Sequence, residues 1–121
     1  MNVLPKHSRL CGQMRIEQLY KEGHRFVVWP LRVTWQATED ETQVLVWAPK
    51  SLFKHAVDRN HLRRLMREAY RLHQNILHSQ LLDSNPQNYL IAFNYMDKEA
   101  KDFATIEKAV VKALRKVKGE R

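Results

Sequence analysis

Cysteine is almost missing from this chain: Cys11 is the only one in 121 residues. No intrachain disulfide can form, a zinc site of the CxxC type is excluded, and a lone thiol fits a reducing, cytoplasmic setting. Long apolar runs are also missing. No stretch of about 18 apolar residues occurs, so no membrane partner is expected. The opening MNVLPKHSRL has no apolar run behind its charges, so no classical export signal is expected either. Nor is there a compact carboxylate cluster of the kind a two-metal nuclease requires. The six histidines are scattered; His73 and His78 are five apart, the wrong spacing for one helix face. Neither a catalytic residue nor a metal ligand is therefore expected from the chain itself, with a His55–His61 acid–base pair as the weak exception. Internal repeats and low-complexity linkers are absent, and residues 1–121 read as one domain with an extended lead-in over 1–12.

What is present is positive charge. Lys and Arg number 21 against 13 Asp and Glu, a net charge of +8. This balance favours polyanionic partners. It is unevenly spread: the 22 residues from Lys50 to Arg71 hold seven basic and two acidic side chains, +5 of the total.

Hydrophobic patterning predicts an α+β fold, a two-layer α/β sandwich with a small sheet and the order α-β-β(-β)-α-β-α. Met14, Ile16, Leu19 and Tyr20 suggest a short helix ended by Gly23 in a left-handed stop. Phe26 to Trp35 is rich in β-branched and aromatic residues and reads as a strand with Pro30 at an edge or bulge. The acidic ATEDETQ segment reads as a hairpin connection to a second strand over Val44 to Ala48. A long helix then runs to about Gln80, followed by a turn over Leu82 to Gln87 containing Asn85-Pro86. Tyr89 to Tyr95 is nearly all apolar, as in a strand covered on both faces. Phe103, Ile106, Val110, Ala113, Leu114 and Val117 give a terminal amphipathic helix.

The long helix carries the chemistry. At about 3.6 residues per turn, Leu62, Leu65, Met66, Ala69, Leu72 and Ile76 fall on one side. Arg59, Arg63, Arg67 and Arg71 step by four along another, flanked by Asn60 and Arg64. Like charges at this spacing repel by a few tenths of a kcal/mol each, and a solvated face ordinarily mixes signs. An external polyanion removes the repulsion, and arginine binds phosphate oxygens through two parallel hydrogen bonds. A membrane-surface or groove-binding helix is the competing use, and it requires the leucine face to be available to the partner.

The pattern Ala56-Val57-x-Arg59-Asn60-x-x-Arg63-Arg64-x-x-Arg67-Glu68-Ala69-x-Arg71 resembles the signature helix of the bacterial ribonuclease P protein subunit. Leu4-Pro5-Lys6 with Arg9-Leu10 is similar to that family's amino terminus, Tyr20-Lys21-x-Gly23 to the end of its first helix, and Pro49-Lys50 to its basic loop. Four positions depart from the family pattern: Ile16, Ser51, His61 and Arg63. The resemblance implies a mixed sheet with a left-handed β-α-β crossover, against the usual right-handed rule. It implies a non-catalytic, cytoplasmic subunit of an endoribonuclease that removes the 5′ leader of precursor tRNA, with magnesium held mainly by the catalytic RNA and the substrate. Contacts to the RNA subunit are expected from Lys50, Lys54, Arg59, Asn60, His61, Arg63, Arg64, Arg67 and Arg71. Contacts to the single-stranded leader are expected from Tyr20, with Phe26 and Trp35 as further rings, since aromatic faces beside cations bind single strands of any sequence. No obligatory protein partner is implied. The alternative is a generic double-stranded nucleic-acid binder using the same arginine helix.

Overall fold

A computed structural model describes residues 12–78 and 88–119. Eight elements follow one another: α1 (Gln13–Glu22), β1 (His24–Val28), β2 (Leu31–Thr38), β3 (Gln43–Trp47), α2 (Ala56–His73), α3 (Asn75–His78), β4 (Asn88–Tyr95) and α4 (Phe103–Lys118). The strands form one mixed sheet in the order β1-β2-β4-β3. β1 and β4 each pair antiparallel with β2, and β3 runs parallel to β4.

The α+β sandwich expected from the patterning is present, with three strands ahead of α2. β4 takes an interior place because its apolar run satisfies both faces of the sheet: Tyr89 to Phe93 are all buried. On one face Val33, Val44, Val46, Ile91, Phe93 and Tyr95 join Leu62, Met66 and Ala69 of α2 and Ile106, Val110, Ala113 and Leu114 of α4 in the main core. On the other, α1 sets Leu19 over Leu90 and Ala92, with Ile16, Tyr20 and Leu45 packed around them.

Several sequence expectations need correction. The single strand over Phe26 to Trp35 is two strands, β1 and β2, reversed at a cis Trp29-Pro30 bond. Proline has no N–H to give a ladder, so the chain turns there; the Pro30 carbonyl instead accepts from Met96 N–H at 2.8 Å. ATEDETQ is not a hairpin connection, because β4 lies between β2 and β3. Thr42 Oγ1 accepts from Tyr89 N–H at 3.1 Å and so ties the segment to β4.

Gly23 ends α1 in extended backbone at φ −74°, ψ 162°, not in a left-handed stop. Glycine is required there by proximity: a Cβ would lie 2.5 Å from the Leu19 carbonyl oxygen and 3.0 Å from that of Trp35. α1 therefore approaches β2 backbone to backbone. α4 is the helix with a left-handed glycine, Gly119 at φ 91°, and its other end is capped by Asp102, which accepts from Thr105 N–H at 3.0 Å.

The long helix ends at His73 and is followed by the short α3, not a run to Gln80. The expected turn over Leu82 to Gln87 and the lead-in before Gly12, Cys11 included, lie outside the described residues. Leu72, placed on the core face by periodicity, is 47 % exposed, whereas Tyr70 is 1 % exposed. At about 100° per residue, Tyr70 and Leu72 lie about 80° to either side of Leu62. Neighbouring elements cover only Tyr70's side, and burial pushes its phenol up to about 12.

Candidate nucleic-acid interface

α2 is anchored before it is charged. Leu62, Met66 and Ala69 are 0 % exposed, so each turn holds an apolar side chain in the core and the arginines between are forced toward the surface. The competing membrane or groove-binding use fails here, since Leu62 and Ala69 are sealed and Leu65 packs against the same core. The helix has no side-chain cap at His55; Asp58 in its first turn supplies the negative charge that the N-terminus favours.

The four-residue arginine row is not one flat ridge. Steps of four overshoot the helical repeat by about 40° each, so the row winds around the axis. At its start, Arg59 turns back onto the preceding loop and donates Nη1 to the carbonyls of Phe53 and Lys54 at 2.8 and 2.9 Å. Phe53 itself is buried, edge-on to Tyr95 with centroids 5.7 Å apart. Arg59 thus clamps the Lys50–His55 loop to the helix. At the row's end, Arg71 donates Nε and Nη2 to the two carboxylate oxygens of Glu68 at 3.0 and 2.6 Å. That fork holds the Glu68 carboxyl below the usual carboxylate range and raises Arg71. Arg63 donates to Asn60 Oδ1, and Arg67 is half-buried.

What remains outward is a tight group around the first turns: Lys50, Lys54, Asn60, His61 and Arg64 are all exposed, with Arg63 beside them. Among the described residues no ion pair engages Lys50, Lys54 or Arg64. Of the nine residues expected to contact the RNA subunit, six lie between the loop and the middle of α2 at the outward surface, and Arg67 is half-buried and engaged within the protein. Arg59 and Arg71 are spent on protein groups.

A second surface lies across the sheet, on the α1 side. Strand register sets Val27 beside Arg32, Arg32 beside Asn94 and Asn94 beside Trp47, a row crossing all four strands. Their neighbours Phe26, Val28, Leu31, Val33, Phe93, Tyr95 and Val46 belong to the main core, so alternation points this row the other way. α1 does not cover it: Val27 and Trp47 are 51 % and 46 % exposed. Tyr20 borders the row and donates its hydroxyl to Asn94 Oδ1 at 2.9 Å. Burial raises the Tyr20 phenol against that bond, which lowers it. Arg25 donates to the Tyr20 carbonyl and closes the edge.

The three rings expected at the leader do not meet. Tyr20 is on this open surface, but Phe26 and Trp35 are on the opposite face of the sheet. Phe26 lies under the Lys116 ammonium, 4.9 Å from the ring centroid. Trp35 stands between His24 and Tyr89 at centroid distances of 4.7 and 5.9 Å. Trp47 is the exposed ring that sequence reasoning passed over. Its signal was the alternation of Val44 and Val46, which sends Leu45 and Trp47 outward. The described residues bring no three His, Cys, Asp or Glu side chains together as a metal site. No helix among them is long and apolar enough to cross a membrane.

Comparison with known proteins gives a consistent picture. A family model described as Ribonuclease P matches residues 4–118. The Ribonuclease P protein component of Porphyromonas gingivalis strain W83 is 38 % identical over 120 residues, covering 96 % of this chain and 87 % of that protein. The component of the same name from Chlorobaculum tepidum is 37 % identical over 83 residues, 63 % of this chain and 54 % of that protein. Among solved structures, the RNase P protein from Thermotoga maritima superposes with a TM-score of 0.73 at 20 % identity, over 89 % of this chain and 96 % of that one. An RNase P protein from Staphylococcus aureus gives 0.68 at 18 % identity, over 93 % and 95 %. At such identities the structural likeness speaks for the fold.

Proposed function

Because the chain belongs to the Ribonuclease P protein family, we propose that it works as a two-sided RNA adaptor, gripping the catalytic RNA with α2 and the precursor-tRNA leader with the far face of the sheet. The observation that carries this reading is the separation of the two surfaces. Lys50, Lys54, Asn60, His61, Arg63 and Arg64 point outward from the helix layer, while Val27, Arg32, Asn94, Trp47 and Tyr20 share the α1 side. The four-stranded sheet stands between them.

On the helix side, guanidinium and ammonium groups neutralise phosphates and release counterions, which gives affinity without reading sequence. Arg59 acts as a positioning residue, since its two carbonyl bonds fix the loop that presents Lys50 and Lys54. On the sheet side, the Trp47 ring offers a stacking face, Arg32 a cation, and Asn94 an amide held in one orientation by the Tyr20 hydroxyl. Cleavage is assigned to the RNA subunit with its magnesium, and this chain orders the substrate strand relative to it.

The test is reconstitution of precursor-tRNA cleavage by a bacterial ribonuclease P RNA at low magnesium, with and without the protein. Stimulation is expected; a correctly folded protein that gives none overturns the reading. The competing double-stranded binder predicts base-dependent losses when single α2 side chains change. The adaptor predicts losses uniform across sequences.

A further inference from the structure

α4 is more positively charged than the signature helix. Phe103–Lys118 holds five basic residues and one acidic one, against five and two in Ala56–His73. The usual reason for cations at a helix end is the macrodipole, and Arg115, Lys116 and Lys118 in the last turn serve it. Lys108 and Lys112 lie one to two turns earlier, beyond its reach.

Lys108, Lys112 and Arg115 line one flank of α4 and, with His73, Glu107 and Val111, form an open groove of about 460 Å3 beside the end of α2. Glu107, the one carboxylate on α4, is already engaged: His73 Nε2 is 3.0 Å from its Oε2. It bridges the two helices and leaves the groove, with three cations against one carboxylate, net positive. Among the described residues, no ion pair engages Lys108, Lys112 or Arg115. Three like charges at spacings of four and three residues repel one another, as on α2. Lys116 is set apart from them, over Phe26.

We propose that this α4 flank is a second docking surface for the phosphate backbone of the RNA subunit. The proposal rests on the adaptor reading and extends it. Charge complementarity names a polyanion, and the architecture chooses which one. α2 and α4 pack in the same layer and are joined by the His73–Glu107 pair, so an RNA seated on α2 has the α4 groove within the same face. The open row of Arg32, Asn94 and Trp47 lies across the sheet, out of reach of a leader that also touches α4.

The experiment measures RNA-subunit binding to the full chain across a salt series. Four proteins are compared: the unaltered chain, Lys108→Ala/Lys112→Ala, the charge-matched Lys21→Ala/Lys98→Ala, and Arg64→Ala. The α4 pair is expected to lower the log–log salt slope by about 1.4 to 1.8, two contacts at about 0.7 to 0.9 each. Lys108→Arg/Lys112→Arg is expected to restore it, and precursor-tRNA affinity of the saturated holoenzyme to stay unchanged. An unchanged slope overturns the proposal, and so does an equal fall in the Lys21/Lys98 control, which marks a bulk-charge effect. A loss confined to precursor-tRNA affinity overturns it too. If Arg64→Ala loses affinity while the α4 pair does not, the second surface alone fails. If the unaltered chain does not bind the RNA, both readings fail.

Discussion

The two faces of the sheet are made by the same four strands and treated in opposite ways. One is sealed by α2 and α4, with Leu31, Val33, Ile91 and Phe93 all 0 % exposed. The other is half covered: α1 seals Leu90 and Ala92, and the row from Val27 to Trp47 stays open. The sealed face turns apolar area into stability. The open one leaves an aromatic ring, a guanidinium and an oriented amide in water, the combination that the proposed leader site uses. Stability and recognition are thus divided between two sides of one element, and substitutions on each side are expected to separate.

The largest effect is expected on the sealed side. Phe93→Ala removes a fully buried ring between sheet and helices and is expected to cost about 3–5 kcal/mol, read by denaturant unfolding; a cost below about 1 kcal/mol would mean that the face is not close-packed. Next comes Gly23→Ala, which forces a methyl against the carbonyls of Leu19 and Trp35. It is expected to cost about 1–3 kcal/mol and to loosen α1, so hydrogen exchange in Gln13–Glu22 should rise. If exchange there stays the same, α1 does not depend on that close approach.

On the open side the order reverses. Trp47→Ala is expected to weaken leader binding in the holoenzyme by about 1–3 kcal/mol, the worth of one stacked base, with unfolding little changed. Loss of stability without loss of leader affinity would reassign Trp47 to packing. Arg64→Ala is expected to lower the RNA-subunit salt slope by about 0.7 to 0.9. Arg71→Ala, whose fork is occupied by Glu68, is expected to lower it less. Equal effects would erase the distinction drawn between the two ends of α2.

The smallest effect is a pH dependence. Asp102 is held below the ordinary carboxylate value mainly by its bond from the Thr105 hydroxyl. A depressed folded-state value means that its contribution is present above the unfolded value and is lost as pH falls through the folded one. Thermal unfolding followed between pH 5 and 2 is expected to show this loss, about the range in which carboxylates titrate. Asp102→Asn keeps an acceptor and removes its share of that loss. A variant with the unaltered pH profile would show that the cap carries none of it.

Much of this was legible in residue order. The periodicity of Leu62, Met66 and Ala69 located the core side of α2, and the unbroken run from Tyr89 to Phe93 announced a strand buried on both faces. Local signals misled where packing intervened. Gly23 reads as a left-handed stop, yet it is needed because two backbones come within van der Waals range. Leu72 fits the stripe but falls on a side that nothing covers. Arg59 fits the basic row but is drawn to two loop carbonyls that only the folded chain brings near.

Residue order alone determined the charge, the arginine spacing and the identity of the apolar faces, because these depend on composition and helical or strand period, which are local properties. The tertiary structure decided which arginines still have donors to offer, which rings share a surface and which side of the sheet stays open. Those depend on contacts between segments far apart in sequence, such as Tyr20 with Asn94 and His73 with Glu107, and no local period encodes them.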